Sequence, residues 1–143
     1  MFWSSDWAWG VPLLMLTVVF HVCVFVLIVK TIVLKAHSER GARNLALFFV
    51  SIASTALAAA ALHGLEATAW ALLYVRLGAM SDVSNSMLYS LSAITSYGHS
   101  NIFLEERWRL LGAIEAMNGL ILFGLTTAFL FAAIEEVRSV RRH

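Results

Sequence analysis

The sequence predicts an all-α membrane protein with three transmembrane helices and a short, re-entrant fourth helix that enters the bilayer and turns back. Three observations predict it. Of 143 residues, 60% are hydrophobic and only 13% charged, against about 25% charged in a typical soluble domain. The apolar residues fall in runs long enough to cross a hydrocarbon core of roughly 30 Å. Seven of the ten Lys and Arg residues collect in two short segments, 30–43 and 138–142, which three crossings bring to the same side of the membrane.

The N-terminal MFWSSDWAWG has no Lys or Arg, and no small-residue cleavage pattern follows it, so it does not read as a signal peptide. Trp3, Trp7 and Trp9 read as interfacial anchors. The first span is expected over 11–34, with Pro12 in its opening turn, where a missing N–H costs nothing. His21 within it reads as a packing residue. Cys23 is the only cysteine; it excludes a disulfide within the chain and reads as a small apolar side chain. Lys30, Lys35, Arg40 and Arg43 make the following connector cytoplasmic and the N-terminus external.

Leu45 to Met80 is too long for one minimal span and too short for two. One tilted helix that continues into the outer interface fits it, with His63-Gly64 as its weak point. Ser51, Ser54 and the alanines from Ala56 to Ala61 suit close helix contact. Glu66 needs a partner or a protein interior, because intramembrane carboxylates rarely face lipid. Trp70 and Tyr74 sit where an outer aromatic belt belongs.

Asp82 and Ser84 are candidate N-caps for a helix through Met87, Leu88, Leu91 and Ile94. At about three turns it is too short to span and the right size to enter and stop. SAITSYGHSN follows, and irregular backbone at membrane depth needs protein or water around it. The last helix is expected over 108–137, before Arg138, Arg141 and Arg142. In it Glu115, Asn118 and Thr126 form a polar track. Glu115 either bonds the short helix or its loop serines, or faces an outer helix and meets His63 or Arg76. Gly112 and Gly124 suit tight packing; Gly119 suits packing or a hinge. Leu125, Phe129 and Ala133 share one face, which lines an inner cavity or faces lipid.

A short helix, then Thr-x-Tyr-Gly, then a glycine-spaced helix resembles the pore module of the potassium channel superfamily, in its small bacterial two-transmembrane form. Ile94, Thr95, Ser96, Tyr97, Gly98 and His99 fall in order on the family's Thr-Val-Gly-Tyr-Gly-Asp. The resemblance covers roughly residues 45 to 136. It implies an N-terminal part, 1–44, holding the interfacial segment, an extra span and the cytoplasmic loop. It implies a pore module over 45–137, with outer helix 45–79, pore helix 84–94, filter-like segment 94–99 and inner helix 108–137. It further implies a homotetramer in a bacterial inner membrane whose pore takes a monovalent cation, K+ or Na+, with Ile94 to Gly98 as the ion filter and His99 at the outer mouth. A ring of backbone carbonyls can replace an ion's water shell, but the alternating backbone this requires suits glycine. Ser96 there is strained and Ile94 lacks the family's threonine hydroxyl, so selectivity is left open. A structural or accessory role for a non-conducting protein of this fold is the alternative.

Other classes find little support. No nucleophile and base stand at a telling spacing, so no enzyme is expected, and no cofactor. No basic cluster with interleaved aromatics suggests nucleic acid. His21, His63 and His99 are expected at different depths, and no metal site is predicted from them.

Overall fold

The computed structural model describes residues 3–38, 45–98 and 101–142, and among these the only regular structure is helical. In order they are α1 (Trp3–Ser38), α2 (Leu45–Arg76), α3 (Val83–Ile94) and α4 (Arg109–Arg142), the last preceded by a 3-10 turn at Glu106–Trp108. Three of the four are long and apolar enough to cross a membrane, over Ser5–Thr31, Phe49–Arg76 and Glu106–Glu135. α3 is not.

α1 and α4 lie side by side and run the same way. Asp6 meets Leu111, Thr17 meets Asn118, and Phe25 stacks on Phe129 with ring centroids 5.3 Å apart. α2 runs against both, since Tyr74 near its end meets Glu115 near the start of α4, while His63 meets Thr126 further along. The chain therefore returns to the starting end of α1 before α3, and leaves it again through α4. A core of Trp70, Tyr74, Tyr89, Leu104, Trp108, Leu111 and Ile114 fills that end.

Several boundaries differ from expectation, α1 running on to Ser38 and α4 to Arg142 among them, and two of the differences have a local cause. α1 begins at Trp3, which puts Pro12 inside the helix rather than in its first turn. Contacts made before the proline hold the extra turns: the Leu111 N–H donates to Asp6 Oδ1 at 3.0 Å, and Gly10 lies close against Leu111 and Ile114. α2 ends at Arg76 rather than 79, because Gly78 adopts φ +64°. The Gly78 N–H then reaches the Val75 carbonyl at 3.1 Å and the Ala79 N–H the Tyr74 carbonyl at 2.9 Å. This is a Schellman cap, with glycine at the left-handed position that favours it.

α3 has the N-cap read from the sequence. The Asp82 side chain accepts from the Asn85 N–H at 2.8 Å. Its C-terminus repeats the closure of α2: the Ser96 N–H bonds the Ala93 carbonyl and the Tyr97 N–H the Ser92 carbonyl, both at 3.0 Å. The left-handed residue is now Ser96, with φ +55°. It is the one residue other than glycine with positive φ among those described, and helix capping accounts for it locally.

Candidate functional site

Two constellations of polar side chains stand out in this apolar frame. The first surrounds α3. Tyr74 donates to Glu115 Oε2 at 2.5 Å, and Ser90 Oγ contacts both Glu115 Oε1 and, at 2.6 Å, the Ala67 carbonyl. A serine hydroxyl has one proton, so it cannot donate to both. If Ser90 donates to the Ala67 carbonyl, its oxygen is left to accept, and a hydrogen between it and Glu115 Oε1 would come from the carboxyl. Glu115 thus ties α2, α3 and α4 together. Of the two sequence readings, bonding to the short helix is the one seen; the contact to His63 or Arg76 is not.

Further along, α3 closes on α4 with no side chain between them. A Cβ on Gly119 would meet the Ile94 carbonyl oxygen and stand 2.7 Å from its carbonyl carbon. The Ile94 side chain is buried with Ala67 and Leu122. Gly119 is therefore a packing contact here, and Gly112 is another, a Cβ there falling 3.1 Å from Tyr89 Cζ. Thr95, Ser96, Tyr97 and Gly98 are exposed, Tyr97 by 87%. Gly98, like Ser96, has positive φ, at +78°. His99 lies outside the described residues.

Of Leu125, Phe129 and Ala133, Ala133 is buried, Phe129 stacks on Phe25 of α1, and Leu125 is half-buried. Leu120, Gly124 and Thr127 of α4 are exposed.

The second constellation lies where the three long helices meet. His21 Nδ1 is 2.8 Å from Glu66 Oε1, and its Nε2 is 3.0 Å from Thr126 Oγ1. His63 Nε2 approaches the same hydroxyl at 3.1 Å, and its Nδ1 stands 3.2 Å from Glu66 Oε2. All four residues are buried. His21 also stacks on Phe25 and His63 on Phe123, with centroids 4.8 and 4.5 Å apart.

Glu66 does pair, as its depth requires. The expectation that the histidines stay apart is overturned for two of them, since the rings of His21 and His63 are 5.3 Å apart. The pattern was partly present in the sequence: His63 and Glu66 are one helical turn apart, and both they and His21 fall near the middle of their spans. Which face of α1 turns toward α2 was not written there, because α1 is apolar nearly all round.

The cluster's hydrogen bonds do not all close. With both imidazoles neutral, one histidine accepts the Thr126 hydroxyl proton at Nε2 and gives its Nδ1–H to Glu66. The other must donate Nε2–H to Thr126, and its Nδ1 is then bare. The 3.2 Å approach of His63 Nδ1 to Glu66 Oε2 is close enough for an ion pair, yet it is not aligned as a hydrogen bond. Both atoms lack a hydrogen-bond partner among the described residues. His63 is the histidine left bare.

Comparison of this chain with protein-family models, with curated proteins and with solved structures returns no match.

Proposed function

We propose that the chain is one subunit of a homotetrameric, potassium-channel-like cation channel in a bacterial inner membrane. In this reading α3 is the pore helix, residues 94–99 form the filter-like segment, the N-terminus is external and the C-terminus cytoplasmic. One observation carries it: α3 ends with the Ile94 backbone against Gly119, near the middle of the Glu106–Glu135 span. The exposed backbone of 95–98 is then at a depth where lipid could not solvate it. Other copies of the chain, around a water-filled axis, supply the missing wall.

The left-handed conformations at Ser96 and Gly98, with Tyr97 between them, fall where the resemblance puts its two glycines. The C-terminal end of α3 brings a partial negative charge toward the axis, which favours a monovalent cation of either kind, K+ or Na+. Ile94 offers no hydroxyl, and its carbonyl is turned to Gly119, so the innermost ion site of the family is missing and weak selectivity is expected.

A second reading has its own support. The N–H groups of Ser96 and Tyr97 are bonded back to α3, as at an ordinary helix end, and that closure suits a non-conducting protein of the same fold with a structural or accessory role.

Recording from purified protein in planar bilayers under opposed K+ and Na+ gradients separates the two, with mass measurement in nanodiscs alongside. Four copies and a cation current support the channel. Four copies without current support the accessory role. A monomer or dimer would overturn both, and 81–107 would then be an external loop.

A further inference from the structure

We propose that His21, His63 and Glu66 form a binding site for a first-row divalent transition-metal ion of the zinc class, buried where α1, α2 and α4 meet. This rests on a different part of the chain from the pore reading and stands whether or not the protein conducts.

The donor set is the first ground. Two imidazole nitrogens and one carboxylate oxygen are a familiar three-ligand set for zinc, with a fourth position left to water. One such atom from each of the three residues lies within 4.8 Å of the others. Around a tetrahedral ion with bonds of about 2.0–2.1 Å, donors stand roughly 3.3–3.5 Å apart. The 2.8 Å and 3.2 Å approaches to the two Glu66 oxygens already bring the ligands near that spacing.

The second ground is the pair of bare atoms. His63 Nδ1 and Glu66 Oε2 are buried, face each other, and share no hydrogen bond. Two buried, unpartnered ligand atoms 3.2 Å apart suit a shared ion.

Thr126 supplies the third. Its hydroxyl oxygen lies 3.0 Å from His21 Nε2 and 3.1 Å from His63 Nε2, and it has two lone pairs. With an ion bound in place of the His21–Glu66 proton, the Thr126 oxygen would accept an N–H from each ring and hold both histidines in the tautomer that leaves Nδ1 to the ion. Metal-bound histidines commonly have their second nitrogen held in this way. Thr126 is thus a positioning residue.

Charge and ligand type narrow the ion. Two neutral imidazoles and one carboxylate leave a divalent ion with one uncompensated positive charge, and hydroxide in the fourth position would cancel it. Calcium and magnesium need six or more oxygens, which this site lacks. Copper(I) prefers thiolate or thioether sulfur, and Cys23, the only cysteine, is exposed and outside the cluster.

The test uses the full chain, purified in detergent, stripped with chelator and titrated with Co2+ as a spectroscopic probe. The expected result is one cobalt per chain, with the intense visible absorption of four-coordinate Co2+ and displacement by Zn2+. Glu66→Gln and His63→Phe should weaken binding at least about 100-fold, and Thr126→Val by about 10- to 100-fold with stoichiometry unchanged. Circular dichroism shows whether each variant keeps its helices. Should the ligand variants fail to fold, X-ray absorption of the Zn2+-loaded wild type decides the matter: two imidazoles and an oxygen in the zinc shell support the site, and any shell without two imidazoles overturns it. Wild type that takes up no Co2+ or Zn2+, or folded Glu66→Gln that binds as tightly as wild type, would also overturn it. The gap between His63 and Glu66 would then belong to a shared proton.

Discussion

The Ile94 backbone lies so close to Gly119 that a single carbon there has no room, standing 2.7 Å from the Ile94 carbonyl carbon. Backbone cannot step aside as the end of a side chain can. Gly119→Ala should therefore push α3 away from α4 and cost about 1–3 kcal/mol, the usual range for overpacking. Gly124 is the control, since among the described residues no neighbouring element lies within 4 Å of a Cβ there. Gly124→Ala should be neutral or raise stability by up to about 1 kcal/mol through helix propensity. Unfolding of both variants in mixed detergent micelles checks the pair; equal stabilities would mean that the two helices do not meet at Gly119.

Ser96 and Gly78 occupy the same place in two like caps, and only one of them is the residue that place favours. Left-handed backbone costs an L-residue roughly 1–2 kcal/mol. Ser96→Gly should thus stabilise the α3 terminus by about 1 kcal/mol, and Gly78→Ala should destabilise the α2 terminus by a similar amount. Amide exchange of Ser96 and Tyr97, whose N–H groups close the cap, should slow in Ser96→Gly. Faster or unchanged exchange there would show that the serine is not strained.

Much of this architecture can be read from local pattern. The three spans follow from apolar length, the start of α3 from Asp82, and the pairing of Glu66 from the cost of a lone carboxylate in hydrocarbon. The end of α3 is half legible: the strain at Ser96 follows from side-chain sterics, but its origin in a Schellman cap depends on which carbonyls the chain folds back to. Least legible is rotation of a helix about its own axis. In lipid an all-round apolar helix has no wet face to orient it, so neither the contact of His21 with His63 nor that of Phe129 with Phe25 is written in either helix alone.

Glu115 should tolerate a neutral polar substitute better than an apolar one. Gln keeps an acceptor and a donor for Tyr74 and Ser90; Leu leaves the buried Tyr74 hydroxyl without that acceptor. An unsatisfied buried polar group costs about 1–3 kcal/mol. Glu115→Gln should stay within about 1 kcal/mol of wild type and Glu115→Leu should lose at least about 2 kcal/mol. A cycle with Tyr74→Phe should return a coupling of about 0.5–3 kcal/mol, as for residues in one network. Additive losses would separate Tyr74 from Glu115.

Asp6 caps a helix it does not belong to. Its carboxylate accepts the N–H of Leu111 at 3.0 Å, in the first turn of α4, where the helix has free donors and a partial positive charge. It is buried, so water offers Leu111 little in exchange. Asp6→Ala should cost about 0.5–2 kcal/mol, the range for losing a side-chain cap. Asp6→Asn keeps an acceptor and gives up the charge, so it separates hydrogen bond from dipole: recovery of most of the loss assigns the effect to the bond, and a loss close to that of Asp6→Ala assigns it to the charge. Because Asp6 also holds the turns of α1 that precede Pro12, Asp6→Ala should in addition speed amide exchange between Asp6 and Val11. Exchange there at the wild-type rate, with stability unchanged, would detach the first two turns of α1 from α4.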